Sequence, residues 1–328
     1  MTDGMKKESS KFLRLRVGLW GLLTAAGVVA CTATIFGFLG RFSWFLDLFS
    51  HFRVQYLIGL LAIGGLLLVL RRRKTAVLFL GFACVNLFLV LPLYFGGNGT
   101  VPEDVPTLRA MLLNVNTRLG DADLVKAAIL DADPDILALE EISDQWMEDL
   151  EWLKDSHPYS LTKPREDSFG IALFSKLPFV ESEVAYIGSA DVPSLLATVG
   201  TEERDLRVVV THPLPPGGPA YSRWRNQQLE LLPNCVTPGE TTLLLGDLNV
   251  TPWNYYFRRL LSRTGLTDSS KGRGVQPTWP SNNPLLLIPI DHCLHSADII
   301  IVDKRIGSNV SSDHYPVLVD FAIVTESE

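Results

Sequence analysis

Apolar positions in this chain follow two regimes. Up to about residue 95 they form long unbroken runs; beyond that they come in short bursts, each ending in polar residues. Three runs, at about 17–40, 54–70 and 75–95, contain no Asp, Glu, Lys or Arg. Each approaches the ~20 residues that carry a helix across a bilayer, so the pattern predicts an all-α bundle of three transmembrane helices. No small-residue cleavage site followed by a polar mature chain appears after the first run, which argues against a cleavable signal peptide. With no ionisable side chain in the spans, an ion or proton pathway has little to be built from. Gly96-Gly97-Asn98-Gly99, with Pro102 and Pro106 behind it, reads as a linker. The chain thus divides into a membrane domain, 1–100, and a second domain, 101–328.

In the second domain the short bursts predict strands at 109–115, 136–139, 170–175, 184–187, 194–199, 206–210, 299–302 and 316–321, and one more through Leu243-Leu244-Leu245-Gly246-Asp247. Helical spacing appears at 121–131, 146–153, 220–232 and 257–264. Many strands, few long helices and no βαβ rhythm exclude a doubly wound sheet. They predict an α/β domain of two packed sheets with helices outside.

Charge separates the same two parts. The first hundred residues hold eleven Lys/Arg against three Asp/Glu, leaving +8, whereas the rest holds 18 against 33 and carries −15. A mean hydropathy of +0.20 beside 20% charged residues is the average of these unlike halves. Lys6, Lys7, Lys11, Arg14 and Arg16 precede the first run, and Arg71-Arg72-Arg73-Lys74 separates the second from the third. Arg41, Arg53 and Arg109 flank the opposite ends. The excess of cations assigns the amino terminus to the cytoplasm and the acidic domain to the outer face of a multi-pass cell-membrane protein. Trp44, Phe45, Phe49 and Phe52, with Asp47 and His51 among them, read as an interfacial aromatic belt, contact with a substrate being the alternative. The four cysteines, Cys31, Cys84, Cys235 and Cys293, have neither metal-ligand spacing nor a disulfide framework, and free thiols are expected.

Candidate chemistry lies where apolar strands end. Asn114, Glu141, His212, Asp247 with Asn249, Asp291, and Asp313-His314 all sit at such ends. At strand period Asp247 and Asn249 share a face while Leu248 turns back. Oxygen ligands suit a hard divalent cation, two histidines suit proton transfer, and no Cys/His cluster suits zinc. Each residue alone has an ordinary explanation as a turn or solvated strand end; their joint occurrence at strand termini is what points to a site.

Pro134-Asp135-Ile136-Leu137-Ala138-Leu139-Glu140-Glu141, Gly246-Asp247-Leu248-Asn249, Pro289-Ile290-Asp291-His292 and Ser312-Asp313-His314-Tyr315-Pro316-Val317 occur in that order. Together they resemble the endonuclease/exonuclease/phosphatase superfamily, the group of DNase I, exonuclease III, inositol-phosphate 5-phosphatases and neutral sphingomyelinases. The resemblance covers about 108–321 and implies a four-layer α/β sandwich of two mostly antiparallel sheets flanked by helices. It also implies a metal-dependent hydrolase in which Glu141, with Asn114 and Asp313, holds Mg²⁺, or Mn²⁺ in its place. By the same resemblance His314, paired with Asp291, activates water, Asp247 and Asn249 orient the water and the scissile phosphate, and His212 is a phosphate donor or leaving-group acid. The repair-nuclease branch has tyrosine at the position of His212, and several relatives have a basic residue where Pro289 stands.

An acidic domain outside the cytoplasm disfavours nucleic acid as partner. The layout resembles bacterial membrane-anchored members linked to teicoplanin resistance, which implies a lipid-linked phosphate or pyrophosphate such as undecaprenyl pyrophosphate. An extracellular nuclease, a sphingomyelinase-like phosphodiesterase and a non-catalytic membrane-anchored binding protein are the alternatives. Arg223/Arg225 and Arg258/Arg259 read either as an anion-binding rim or as solvated helix faces.

Overall fold

The computed structural model describes residues 18–97, 99, 101 and 105–324. The basic residues 6–16 and parts of the linker, Asn98 and Pro102 among them, lie outside the described residues. The apolar runs form α1 (Leu19–Phe38), α3 (Arg53–Val69) and α4 (Arg73–Val90), with a short α2 (Trp44–Leu48) between the first two. They bury Cys31, Leu60, Leu67, Phe79 and Ala83 against one another. A small polar knot ties them: Asn86 donates to the Thr34 hydroxyl (2.9 Å) and Arg53 to the Thr34 carbonyl (2.8 Å). Outward faces stay apolar, with Val29 65%, Ile58 62%, Val77 66% and Phe88 73% exposed.

Among the described residues, two helices are long and apolar enough to cross a membrane, Leu19–Phe38 and Arg73–Tyr94. The expectation of three spans is corrected on this point. α3 has 17 residues, about 26 Å at 1.5 Å per residue, against a hydrocarbon core of about 30 Å. The run at 54–70 is cut short because the chain must turn at Arg71-Arg72, where Arg71 adopts φ 61°.

Among the described residues twelve strands then build two sheets. The first has the order β11 (Ile299–Ile306), β12 (Val317–Ile323), β1 (Leu108–Asn114), β2 (Ile136–Glu140), β4 (Ile171–Ser175), β3 (Tyr159–Lys163). The second has β5 (Phe179–Tyr186), β6 (Pro193–Val199), β7 (Leu206–Thr211), β8 (Thr242–Asp247), β10 (Asp291–His295), β9 (Thr267–Asp268). One pair in each sheet is parallel, β1 with β2 and β7 with β8, and the others are antiparallel.

Strand alternation sorts the apolar side chains into layers. Ala110, Leu112, Ile136, Ala138, Val208, Val210, Leu243 and Leu245 meet between the sheets. Their neighbours Met111, Leu113, Leu137 and Leu139 face α5 (Ala122–Ala132), α6 (Asp144–Asp149) and α7 (Leu153–Ser156), while Val209 and Leu244 face α8 (Pro219–Leu231) and α9 (Tyr255–Thr264). This is a four-layer α/β sandwich. Its helices have local causes: Asp121 caps α5 by accepting from the Asp123 and Leu124 amides, and Val125, Ile129 and Ala132 supply its buried stripe.

The apolar helices and the sandwich are packed together. Trp253 sits against Val90 and Leu93, and the Gly274 amide donates to the Leu93 carbonyl at 2.8 Å.

Candidate active site

Inward parity, followed to the strand ends, builds the site. In β1 the inward series Ala110, Leu112 continues to Asn114; in β2 Ile136, Ala138 continues to Glu140; in β7 Val208, Val210 continues to His212. In β8 Leu243 and Leu245 continue to Asp247, and in β10 Cys293 is preceded by Asp291. Asp247 and Asp291 are register partners, as are Asn114 and Glu140. The apolar layer between the sheets therefore ends in a polar floor. Gly246 lets β8 run close beside β7, since a Cβ on it would collide with the Thr211 carbonyl, and it leaves room for the Glu140 carboxylate from the other sheet, which such a Cβ would touch at 3.3 Å.

The contacts within the floor are specific. His314 Nδ1 lies 3.0 Å from Asp291 Oδ2, and its Nε2 lies 3.7 Å from Asp247 Oδ2. His212 Nε2 is 3.5 Å from the same Asp247 oxygen. Asp247 Oδ1 accepts the Asn249 amide (2.9 Å), and Asn249 Nδ2 donates to the Pro213 carbonyl (2.9 Å). Glu141 turns out of strand geometry at φ 61°, so that its carboxylate meets Asn114 Nδ2 (3.2 Å) and the Thr117 amide (3.3 Å). Asp313 accepts from Asn116 Nδ2 (2.7 Å) and Trp279 Nε1 (2.9 Å). Every sequence-predicted site residue, namely Asn114, Glu141, His212, Asp247, Asn249, Asp291, Asp313 and His314, thus lies at this one end of the sandwich.

Electrostatics are dominated by crowded carboxylates. Burial alone would lower the His314 pKa, but Asp291, through its charge and its hydrogen bond, and then Asp247 and Asp313 outweigh that and raise it to about 10. His212 is likewise held up at about 9 against burial, by Glu140 and Asp247. Asp291 is pushed down despite its burial because His314 faces it. Burial, with Asp247 and Asp291 nearby, lifts Glu140 to about 8.

Five carboxylates, Glu140, Glu141, Asp247, Asp291 and Asp313, therefore face two histidines, and among the described residues no lysine or arginine pairs with any of them. Asp247 and Asp291 are answered by the histidines, whereas the half-buried Glu141 and Asp313 carboxylates have no cationic partner among the described residues, and this oxygen-donor chemistry fits a divalent cation. Among the described residues the oxygens of Glu141 meet only N–H donors, from Asn114 and the Thr117 amide, and Glu141 and Asp313 line the same cavity. The Asn114 amide as placed turns its nitrogen to Glu141, and offering its oxygen takes a half-turn about χ2. Asp247, Asp291 and His314 also present donor atoms within 4.8 Å of one another, a second adjoining set.

Two residues of the site, Glu140 and Trp279, had no site reading in the sequence, and a third, Arg225, was read otherwise. Glu140 accepts the Asp247 amide at 3.1 Å and is fully buried; its inward parity with Ile136 and Ala138 was the available signal. Trp279 orients Asp313 from a loop with no periodic pattern. Arg225, read as part of a rim or solvated face, is neither: it is 0% exposed, pairs with Asp47 at 2.5 Å and donates to the Asn249 carbonyl at 3.1 Å. A cavity of about 410 Å³ opens over the floor. Its walls are mainly apolar, among them Phe169, Pro215, Trp279 and Ile288 from the sandwich and Leu48 and Phe52 from the segment between α1 and α3.

The family described as "Endonuclease/Exonuclease/phosphatase family" matches residues 111–314, more than half of the chain. Among solved structures, an endonuclease/exonuclease/phosphatase from Beutenbergia cavernae superposes with a TM-score of 0.56 at 21% identity, covering 66% of this chain and 72% of its own. One from Bacteroides vulgatus gives 0.56 at 16%, covering 66% and 99%. The human Nocturnin catalytic domain with a bound sulfate anion gives 0.53 at 20%, covering 67% and 94%. At such identities the likeness is one of fold. Comparison with curated proteins gives no match. The matched segment runs from β1 to His314 and so takes in the whole floor of the cavity: the chain belongs to the endonuclease/exonuclease/phosphatase family, and it is a metal-dependent hydrolase of phosphate esters.

Proposed function

We propose that the protein is a membrane-tethered Mg²⁺-dependent phosphoesterase that removes phosphate from a phosphorylated or pyrophosphorylated lipid, such as undecaprenyl pyrophosphate, at the outer face of the cell membrane. The observation that carries this reading is the cavity, with its acidic floor and apolar walls drawn partly from the segment between two membrane-type helices. Arg71-Arg72-Arg73-Lys74 joins α3 to α4 at one end of the helices, and the sandwich docks at the other, against Val90 and Leu93. Cations inside then mean sandwich outside, with the shorter α3 returning the chain to the inner face between α1 and α4.

In this reading Glu141, with Asn114 and Asp313, holds the cation, which supplies charge neutralisation to the phosphoryl oxygens. The Asp247–Asp291–His314 set is left free of metal because the His314–Asp291 pair is better used on a proton. Asp291 fixes the His314 ring with Nδ1 toward the carboxylate; a cation at the neighbouring carboxylates would offset the negative charge that holds the ring protonated and so free Nε2 to take a proton from water. Asp247, anchored through its amide to Glu140 and through Oδ1 to the Asn249 amide, orients that water. Asn249 and His212 donate to phosphate oxygens, His212 also to the leaving group. A nuclease reading loses support from Arg225, which is buried and unavailable to a polyanion.

The test gives purified full-length protein three substrates, plasmid DNA, a polyprenyl pyrophosphate and sphingomyelin, with Mg²⁺ or with EDTA, beside Asp247→Ala. Phosphate release from the lipid alone, and only with Mg²⁺, is expected. DNA nicking without lipid turnover overturns the substrate.

A further inference from the structure

We propose that the segment Asp47–Phe52, from the last turn of α2 to the start of α3, is a substrate-binding wall of the active site, and that His51 Nε2 in it donates a hydrogen bond to the non-scissile phosphoryl group of a pyrophosphate. This rests on the phosphoesterase reading above and adds to it a residue outside the matched family segment. Leu48, His51 and Phe52 line the same cavity as Glu141, Asp247 and His314. His51 is 5% exposed, its Nδ1 lies 3.3 Å from the Thr251 hydroxyl, and its Nε2 is buried without a partner among the described residues. A buried polar atom without a partner, in a residue that lines a binding cavity, is a cost that a ligand oxygen removes once the ring turns to meet it. Burial, opposed by Asp47 but reinforced by Arg225 and Arg53, pushes the ring down to about 4, so it is a neutral imidazole with one N–H. In the tautomer whose Nδ1 accepts from the Thr251 hydroxyl, the N–H is on Nε2 and suits a phosphoryl oxygen.

The wall is held in fixed relation to the floor. Asp47 accepts from Arg225 and from Asn254 Nδ2 (2.7 Å), Asn254 Nδ2 also reaches the Ser50 hydroxyl (3.2 Å), and Trp253 Nε1 donates to the His51 carbonyl (3.2 Å). The same Arg225 holds the Asn249 carbonyl, and Thr251 follows Asn249 by two residues. Leu48 and Phe52 give an apolar tail its first contacts beside the amino end of α3. A pyrophosphate on such a tail meets the metal-side floor with one phosphoryl and His51 with the other.

The experiment measures binding of inorganic pyrophosphate by calorimetry on the full chain in detergent with Mg²⁺, for wild type, His51→Phe and His51→Gln. His51→Phe keeps ring volume without the N–H and weakens binding by at least tenfold, while His51→Gln, which restores a donor, stays within about threefold of wild type. Binding of inorganic phosphate, which needs the floor alone, changes less than threefold in either variant. Equal pyrophosphate affinity in wild type and His51→Phe overturns the proposal, as does an equal loss for phosphate and pyrophosphate. Should His51→Phe not fold, His51→Ala is read in its place. Lipid turnover by the wild type judges the substrate reading separately, since these affinities need no turnover.

Discussion

At the scale of single residues the floor separates two kinds of buried acid. Asp291 is charged because His314 answers it, and Asp247 lies within reach of both histidines. Positioned proton transfer is worth about 10²–10⁴ in rate. His314→Ala and Asp247→Ala should therefore each lower turnover by about a hundredfold or more, with the circular dichroism spectrum unchanged; turnover within threefold of wild type in either variant would remove the assignment. Glu140 is the other kind, a carboxyl whose burial raises its pKa from 4.5 to about 8. Between those values the folded chain holds a proton that the unfolded chain has released, so stability falls as pH rises through this window. Glu140→Gln keeps an acceptor for the Asp247 amide and has no proton to lose. Its melting temperature should exceed that of wild type at pH 8.5 and approach it at pH 4.5; a constant difference across that range would show that the Glu140 charge is not what matters.

At the scale of elements, the layers were largely legible because β1, β2, β7 and β8 are short continuous apolar runs. Helix α5 was legible too, but its inward face was not, since the more conspicuous Leu124 and Leu130 are exposed and Val125, Ile129 and Ala132 face the sheet. What stayed illegible was set by partners far along the chain. β10, Asp291–His295, carries an acid and two histidines and does not read as a strand, yet all five residues are buried beside β8. The edge strand β3 has a mostly exposed or half-buried pattern that no core imposes. The helix expected over 146–153 is interrupted at Leu150 and resumes as α7. Arg225 reads as a surface arginine because its counter-charge, Asp47, is 178 positions away. Removing one partner of a buried pair costs about 3–5 kcal/mol, since the other is left charged and unanswered. Arg225→Met should thus lower the melting temperature by on the order of 10 °C and loosen α2 from α8 and α9, detectable as new proteolysis in the 39–52 segment. The double variant Asp47→Leu/Arg225→Met should recover most of the loss; no recovery would mean that the guanidinium matters for Asn249 rather than for Asp47.

At the scale of the whole molecule, the two opposite charge balances, +8 and −15, have different destinations. Part of the negative charge of the sandwich is concentrated where Glu141, Asp247, Asp291 and Asp313 converge beside the protonated Glu140, with His212 and His314 in answer among the described residues. Repulsion there is tolerable in a fold that expects a cation, and a ligand that binds only the folded state stabilises it by about 2.7 kcal/mol at a hundred times its Kd. Full-length protein in detergent should therefore melt several degrees higher with saturating Mg²⁺ than with EDTA. The metal-free value should rise when Glu141→Gln removes one of the clustered charges, and the response to Mg²⁺ should shrink in that variant. Choosing between the two adjoining donor sets follows from the same measurement. If Asp291→Asn abolishes the metal-induced rise and Glu141→Gln leaves it intact, the cation belongs between Asp247, Asp291 and His314, and His314 is then a ligand and not the base. A rise lost in Glu141→Gln and kept in Asp291→Asn leaves the proton with the histidine, as the 3.0 Å contact to Asp291 argues.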